Sequence, residues 1–389
     1  MRLRSLTAGE SHGPVLSAIL DGMPAGLRID FDEINHELFR RQRGFGSGGR
    51  MKIEKDHIQI TGGVMGGETT GGPISLIIEN KDHMNWKGKQ IKAMTRPRPG
   101  HADLTGAVKY GYSDLRLALE RASARETAMR VGIGAICRQF LHQFDIHIGG
   151  YVRELGGIAA KIEEDEFEKI FKAAEISEVR CPDPSAAEAI REKIAECKEK
   201  GDTLGGVIEA VVLNVPAGLG SYVQADRRLD ARLAGAIISI PGIKGIEIGD
   251  AFNNSRRSGL DASDEIILEN KKIIRATNLA GGIEGGISNG MPIKLSAAIK
   301  PVATTLKPKK TVDLATGNES ETSYERSDFC PVPRAVPVVE AVTALVIANA
   351  LLEKLGGDSM AEMIPRFKSL RQVSLDGLRM NGKDNVWWK

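Results

Sequence analysis

Residues 62–74 read GGVMGGETTGGPI and residues 281–293 read GGIEGGISNGMPI. Seven of the thirteen positions are identical, and all seven are Gly, Pro or Ile. Glycine enters left-handed backbone conformations at little cost, so the two stretches predict two tight turns of the same build. Each half also carries Pro-Ala-Gly-Leu, at 24–27 and 216–219, near an apolar strand-like run (16–20 and 207–215). Each Gly-rich stretch is followed by a polar motif, at 96–103 and 324–330, and then by a long helix of small residues, about 123–144 and about 336–355. Shared order and shared flanks point to an internal repeat rather than to a chance likeness of Gly-rich turns. The chain therefore reads as one domain over 1–389, with pseudo-repeat halves at 1–150 and 203–389.

Residues 151–202 differ in composition. The segments 161–174 and 185–200 are charged and amphipathic; Asp183 or Ser185 suits the cap of the second, Pro184 its start and Gly201 its end. This region is expected to be a helical insertion on the surface. A helix is expected over 31–43, with Asp30 and Glu33 in capping-box spacing and Gly44 at its end. Strand-like runs lie at 3–6, 57–60, 74–78, 208–215 and 293–299. The fold class is α+β or a layered α/β mix, with mainly antiparallel sheets because hairpin-scale turns dominate.

Lys+Arg (53) and Asp+Glu (51) nearly cancel to a net charge of +2, which argues against a nucleic-acid coat or a membrane-surface protein. With 44 glycines and only 5% aromatic residues, the core must be largely aliphatic. Cys137, Cys181, Cys197 and Cys330 form no CxxC pair, so neither a zinc site nor a disulfide framework is expected. The N-terminus, MRLRSLTAGESHG, lacks the apolar stretch of roughly 7–15 residues that marks a secretory signal. The longest apolar run, near 342–352, is too short to cross a bilayer. A soluble, cytoplasmic protein is expected.

Residues 9–13, GESHG, fit G-x-S-x-G, yet only eight residues precede them, so the strands that a hydrolase nucleophile elbow needs are missing. What remains is a Ser11-His12 pair on a Gly-flanked turn that can face a ligand. Residues 44–49, GFGSGG, follow a helix, whereas a dinucleotide fingerprint follows a strand. The loop is bracketed by Arg40, Arg41, Arg43 and Arg50, which suits a phosphorylated or carboxylated small molecule as well as a solvated basic helix end. Residues 96–103, RPRPGHAD, are stiffened by two prolines and present Arg98, His101 and Asp103; such a His can serve as an acid near neutral pH. Arg121, Ser123 and Arg125 stand near the start of the first long helix, where free N–H groups favour anions. Arg326-Ser327-Asp328 precedes the second long helix as the positional counterpart of the His101 motif, and residues 300–305, KPVATT, form a second rigid polar turn.

The strings TAGESHG (7–13), RPGHAD (98–103), RASARETAMRVGIGA (121–135) and RSD (326–328) resemble the chorismate synthase family, in order and over nearly the whole chain. The resemblance implies a sandwich of antiparallel sheets around long central helices, assembled as a homotetramer. It implies a 1,4-elimination of phosphate from 5-enolpyruvylshikimate 3-phosphate to give chorismate, the last step of the shikimate pathway. Reduced FMN is required without net redox change, and NADPH enters only as an indirect reductant. By the resemblance, His12 protonates the departing phosphate, His101 stands at the reduced flavin, and Asp328 relays a proton from flavin N5. The substrate-binding set is Ser11, Arg41, Ser47, Arg50, Arg98, Arg125 and Arg326. The cofactor-binding set is Arg121, Ala122, Ser123, Pro241, Gly242, Gly285, Lys300, Pro301, Val302, Ala303, Thr304 and again Arg326. Three positions depart from the family pattern: Ser47 stands for a second Arg, Ala122 for a Ser, and Pro241-Gly242 for Asn-Ala. No metal is expected.

Two other readings use the same residues. An NAD(P)H-dependent flavin reductase acting on a phosphorylated acid would turn over NAD(P)H steadily. A non-catalytic binding protein would form no product and would leave the clustered His, Asp and Arg unexplained. Because no Rossmann unit accompanies the chain, a separate flavin reductase is the expected partner.

Overall fold

The computed structural model describes residues 3–46, 55–162, 166–325 and 328–388. Its first part runs β1 (Arg4–Ala8), β2 (Val15–Asp21), α1 (Phe31–Gln42), β3 (Gln59–Gly62), β4 (Val64–Met65), β5 (Glu68–Thr69), β6 (Ile74–Glu79), α2 (Asp103–Tyr110), α3 (Arg116–Arg121) and α4 (Thr127–His142). Then follow β7 (His147–Leu155), β8 (Ile158–Ala159), α5 (Phe167–Ile176), α6 (Pro184–Glu199), β9 (Gly206–Leu213), α7 (Leu229–Ile238), β10 (Ile243–Ile248), α8 (Ala251–Asn254), β11 (Ile266–Glu269) and β12 (Lys272–Arg275). The last part holds β13 (Ile283–Glu284), β14 (Ile287–Ser288), β15 (Ile293–Ile299), β16 (Lys310–Asp313), β17 (Asn318–Glu321), α9 (Val332–Leu355) and α10 (Met360–Lys368).

The two Gly-rich stretches fold as the hairpins β4–β5 and β13–β14, and each is clipped to its own Pro-Ala-Gly-Leu turn by matching bonds. Thr69 Oγ1 donates to Pro24 O (2.6 Å) and accepts from Leu27 N (2.9 Å); Ser288 Oγ donates to Pro216 O (2.6 Å) and accepts from Leu219 N (2.9 Å). Gly63 (φ +84°) and Gly282 (φ +78°) are required here, because a Cβ at either would lie 2.5 Å from the carbonyl oxygen of Pro73 or Pro292.

Strand order is β1-β2-β6-β3 in one sheet and β7-β9-β15-β10 in the other, where β8 extends the edge beyond β7; every pairing is antiparallel. Helices α1, α4, α7 and α9 lie between the sheets: α4 packs on β2 and β6, α9 on β7 and β9, and α4 and α9 pack on each other. The result is the layered α+β sandwich of antiparallel sheets around long central helices, with an aliphatic core as composition demanded.

The structure corrects several boundaries. Strand β7 runs to Leu155 and pairs with β9, so residue 151 lies inside the second sheet and the inserted helices begin only at Phe167. Its sequence, HIGGYVREL, hid this, because glycines weaken a strand pattern; a Cβ at Gly149 would lie 2.4 Å from the Phe171 ring. Helix α6 is not purely a surface element, since Ala186, Ile190 and Ile194 join the main core. Its cap is as read: Asp183 accepts from Ser185 N (2.9 Å) and Ala186 N (3.3 Å). In α1, Asp30 caps Asp32 N and Glu33 N, but the return half of the capping box is taken over by Gln139, whose Oε1 accepts from Asp30 N at 3.0 Å. Helix α9 starts four residues before the expected 336, because Pro331 and Pro333 suit a first helical turn, and spans 24 residues. Among the described residues it alone is long and apolar enough to cross a membrane, yet 83% of its most apolar window is buried in the core.

The central helices meet with almost no side chain between them. A Cβ at Gly134 of α4 would stand 2.3 Å from Ala341 Cβ and 2.5 Å from its Cα. Gly134→Ala is therefore expected to lower stability by ~1–3 kcal/mol, as overpacking does. A urea unfolding midpoint equal to wild type would contradict this interlock.

Candidate active site

A cleft of about 870 Å³ opens where the two sheets end, and both halves of the chain line it. The β1–β2 turn supplies Ser11 and His12, the Pro-stiffened turn before α2 supplies Arg98 and His101, and the entry to α4 supplies Ala122, Ser123 and Arg125. From the second half come Pro241-Gly242 before β10, Lys300 to Thr304 after β15, and Asp328 before α9. Arg41, at the end of α1, completes the set.

Both histidines are tied by carboxylates. His12 Nδ1 meets Glu120 Oε1 at 2.7 Å, and its ring lies 4.1 Å from that of Trp86, centroid to centroid. His101 Nδ1 meets Asp103 Oδ1 at 2.6 Å. Asp103 also receives Arg98 in a fork, from Nε (2.8 Å) and Nη2 (2.9 Å). Burial opposes ionisation of Asp103, but the hydrogen bonds from Arg98 and His101 outweigh it and hold the carboxyl well below its ordinary value. The second half of the chain locks this turn: Arg98 Nη1 donates to Thr304 Oγ1 (3.2 Å) and Lys300 Nζ to Gly100 O (2.9 Å).

Two guanidinium groups share one acid. Arg125 donates from Nη1 to Asp56 (2.7 Å) and from Nε to Asn80 Oδ1 (2.9 Å). Arg41 donates to Thr127 Oγ1 and Ala124 O, but its Nη1 stands 3.6 Å from Asp56, and this buried atom has no hydrogen-bond acceptor among the described residues. Burial, then the charge of Arg334, pushes the Arg41 guanidinium down from its ordinary value, with Asp56 opposing. Among the described residues, five cations (Arg41, Arg98, Arg125, Lys300, Arg334) line the cleft against three carboxylates (Asp82, Glu325, Asp328). A buried guanidinium nitrogen without an acceptor and a surplus of positive charge fit an anionic ligand.

Not every sequence candidate lines this cleft. Arg40 is turned into the core, where Glu37, Glu175 and Glu340 hold it at 2.6–2.9 Å. Arg121 ends α3, is exposed, and points to Thr7 O (3.4 Å) because the chain turns at Ala122, so it does not line the cleft. It also precedes the helix start: a single 3-10 turn, Ala124–Glu126, leads into α4. Gly285 sits on the β13–β14 turn, away from the lining. Ser47, Arg50 and Arg326 lie outside the described residues. Trp86 and Arg334 line the cleft without a sequence signal; Arg334 pairs with Asp328 and donates from Nε to Arg41 O (3.2 Å).

A family model described as chorismate synthase matches residues 3–352. The chain belongs to the chorismate synthase family. Chorismate synthase of Pelobacter propionicus is 50% identical over 378 residues, covering 93% of this chain and 96% of that protein. The Aquifex aeolicus enzyme of the same name is 51% identical over 386 residues, covering 94% and 96%. A crystal structure titled as chorismate synthase matches with TM-score 0.78 at 44% identity, over 95% of this chain and 97% of that one. The reaction is that of the family: a lyase eliminates phosphate from 5-enolpyruvylshikimate 3-phosphate with reduced FMN as cofactor, giving chorismate for aromatic amino acid biosynthesis. These matches support the elimination and not the reductase alternative.

The cleft has room for a small-molecule ligand or cofactor. Pro241, Gly242, Ile299, Val302 and Ala303 add apolar lining beside the cations. The volume falls within the ~300–1,000 Å³ usual for ligand and cofactor sites.

The Arg98–Asp103 fork makes a pH prediction. A carboxyl held below its unfolded value contributes stability above the unfolded pKa of about 4, and that contribution is lost as pH falls further. Urea unfolding should show wild type losing stability below about pH 4, and Asp103→Asn, less stable at pH 7, losing less over the same interval. Parallel curves for the two proteins would contradict the pairing.

Proposed function

We propose that this cleft carries out the elimination with His12, His101 and Asp328 as its proton-handling groups. The observation that supports this most is the pair of carboxylate-tied histidines facing one cavity whose cations outnumber its acids. Arg41, Arg98 and Arg125, with Ser11, take the anionic groups of the substrate, since guanidinium meets phosphate and carboxylate bidentately. A phosphate leaves more readily when cations and a donated proton meet its charge, and His12 holds that proton. His101 is fixed by Asp103 on a turn that Lys300 and Thr304 join from the other half, so its ring is held where the two halves meet. Asp328 lines the same cleft, its carboxylate paired with Arg334, where it can hold a proton. Reduced FMN, when bound, supplies the electron-rich neighbour that removal of an unactivated ring hydrogen needs. Ala122, Ser123, Pro241, Gly242 and residues 300–304 are proposed as its contacts.

The protein is proposed to be soluble and cytoplasmic, to assemble as a homotetramer, and to take its reduced flavin from a separate reductase. Support for assembly comes from apolar side chains left exposed on the β11–β12 hairpin (Ile266, Leu268) and on edge strand β1 (Leu6). Support for a separate reductase is that the Gly44 loop follows a helix, unlike a nicotinamide-binding fingerprint.

His101→Ala and Asp328→Ala should each lower kcat by roughly 10²–10⁴-fold, the range for lost acid–base groups. Wild-type rates in both would remove them from the mechanism. Arg125→Ala should weaken substrate binding by about 2–4 kcal/mol, because a partly dry site would then hold an unmatched anion. Unchanged affinity by calorimetry would contradict that role.

A further inference from the structure

We infer that Glu120 is a positioning residue for the reaction: it grips His12 by both ring and backbone, so that Nε2 is the ring atom that delivers the proton to the leaving phosphate. This rests on the role proposed for His12. One carboxylate makes both contacts, Oε1 to the ring Nδ1 (2.7 Å) and Oε2 accepting from His12 N (2.7 Å). The next bond comes from the same residue's backbone, where Glu120 O accepts from Ser11 N at 3.1 Å. Residues 11 and 12 are thus fastened to the last turn of α3 at three points.

The ring plane is set independently. Trp86 packs against the imidazole, and the guanidinium of Arg116 lies 5.6 Å over the same indole. His83 Nδ1 contacts His12 O at 2.9 Å. Among the described residues only Nδ1 of the His12 ring has a hydrogen-bond partner, so Nε2 is the nitrogen left for a ligand. Burial disfavours a charged Glu120, but the hydrogen bonds from the His12 ring and backbone outweigh it and hold the carboxyl below its ordinary value. A carboxylate that stays ionised only accepts, so it holds a proton on Nδ1 and fixes which ring nitrogen faces it. In the step itself the doubly protonated ring gives up its Nε2 proton: that proton goes to the phosphate oxygen as the oxygen's bond to carbon breaks, and the ring is left neutral with Nδ1–H still on Glu120. The other charged and titratable groups around His12 are Glu10 in its own turn, Asp82 and His83 in the 3-10 segment Lys81–Asn85, Arg116 in α3, and Arg125 at the entry to α4.

The test compares wild type, Glu120→Gln, Glu120→Asp and His12→Ala. In wild type, ¹⁵N NMR of the neutral His12 imidazole should show its proton fixed on Nδ1, and in E120Q a mixture of the two tautomers should appear, since the carboxylate that holds Nδ1–H is gone. kcat should fall by roughly 10-fold or more in E120Q while substrate Kd changes less, and E120D should recover part of both the tautomer and the rate. A His12 tautomer that does not change in E120Q overturns the inference even where the rate falls. A tautomer that changes while H12A keeps wild-type kcat strikes instead at the role of His12, and with it at this inference. Because the NMR readout needs only folded protein, the two failures are distinguishable.

Discussion

The contact between Gly134 and Ala341 sets the geometry of the rest. Two helices that approach with only the Ala341 methyl at the crossing hold their sheets at one fixed offset. That offset brings the end of β1, the turn before α2, and the segment after β15 to one place. A side chain at this crossing would move the two walls of the cleft apart, and proton transfer and anion binding are both sensitive to shifts of about 1 Å. Packing in the middle of the molecule and chemistry at its end are therefore one constraint. The bonds from Arg98 to Thr304 and from Lys300 to Gly100 repeat that constraint at the site itself.

Charge is divided between structure and function over adjacent residues. Arg40 and Arg41 differ by one position on α1, hence by about 100° around the helix. Arg40 meets three carboxylates, two of them on helix faces that close the core, and is saturated. Arg41 shares the single Asp56 with Arg125 and keeps a buried Nη1 without an acceptor among the described residues. The first arrangement stabilises a packed interface provided no member is lost. The second leaves a buried N–H donor without an acceptor, which is the kind of group that suits an anionic ligand.

Much of this was legible in the sequence, for identifiable reasons. The hairpins announced themselves because only glycine tolerates the φ of Gly63 and Gly282 and the neighbouring carbonyls. The central helices were visible from length and small residues, and the Arg98–His101 turn from its prolines. The start of β7 was obscured because Gly149 and Gly150, needed for close packing, interrupt the strand pattern. The first turn of α9 was missed because prolines suit a helix start yet read as breakers. At the site, Trp86 and Arg334 had no signal, since stacking on His12 and pairing with Asp328 depend on segments brought together only by the fold. The Arg121 motif reads as a helix start, whereas Arg121 ends the preceding helix α3.

The most direct test of the account is anaerobic. Purified protein, 5-enolpyruvylshikimate 3-phosphate and chemically reduced FMN are mixed, and chorismate and free phosphate are followed together. Equal amounts of both products are expected with reduced FMN, none with oxidised FMN, and no net oxidation of the flavin. Product formation without reduced flavin, or flavin oxidised in proportion to product, would contradict it.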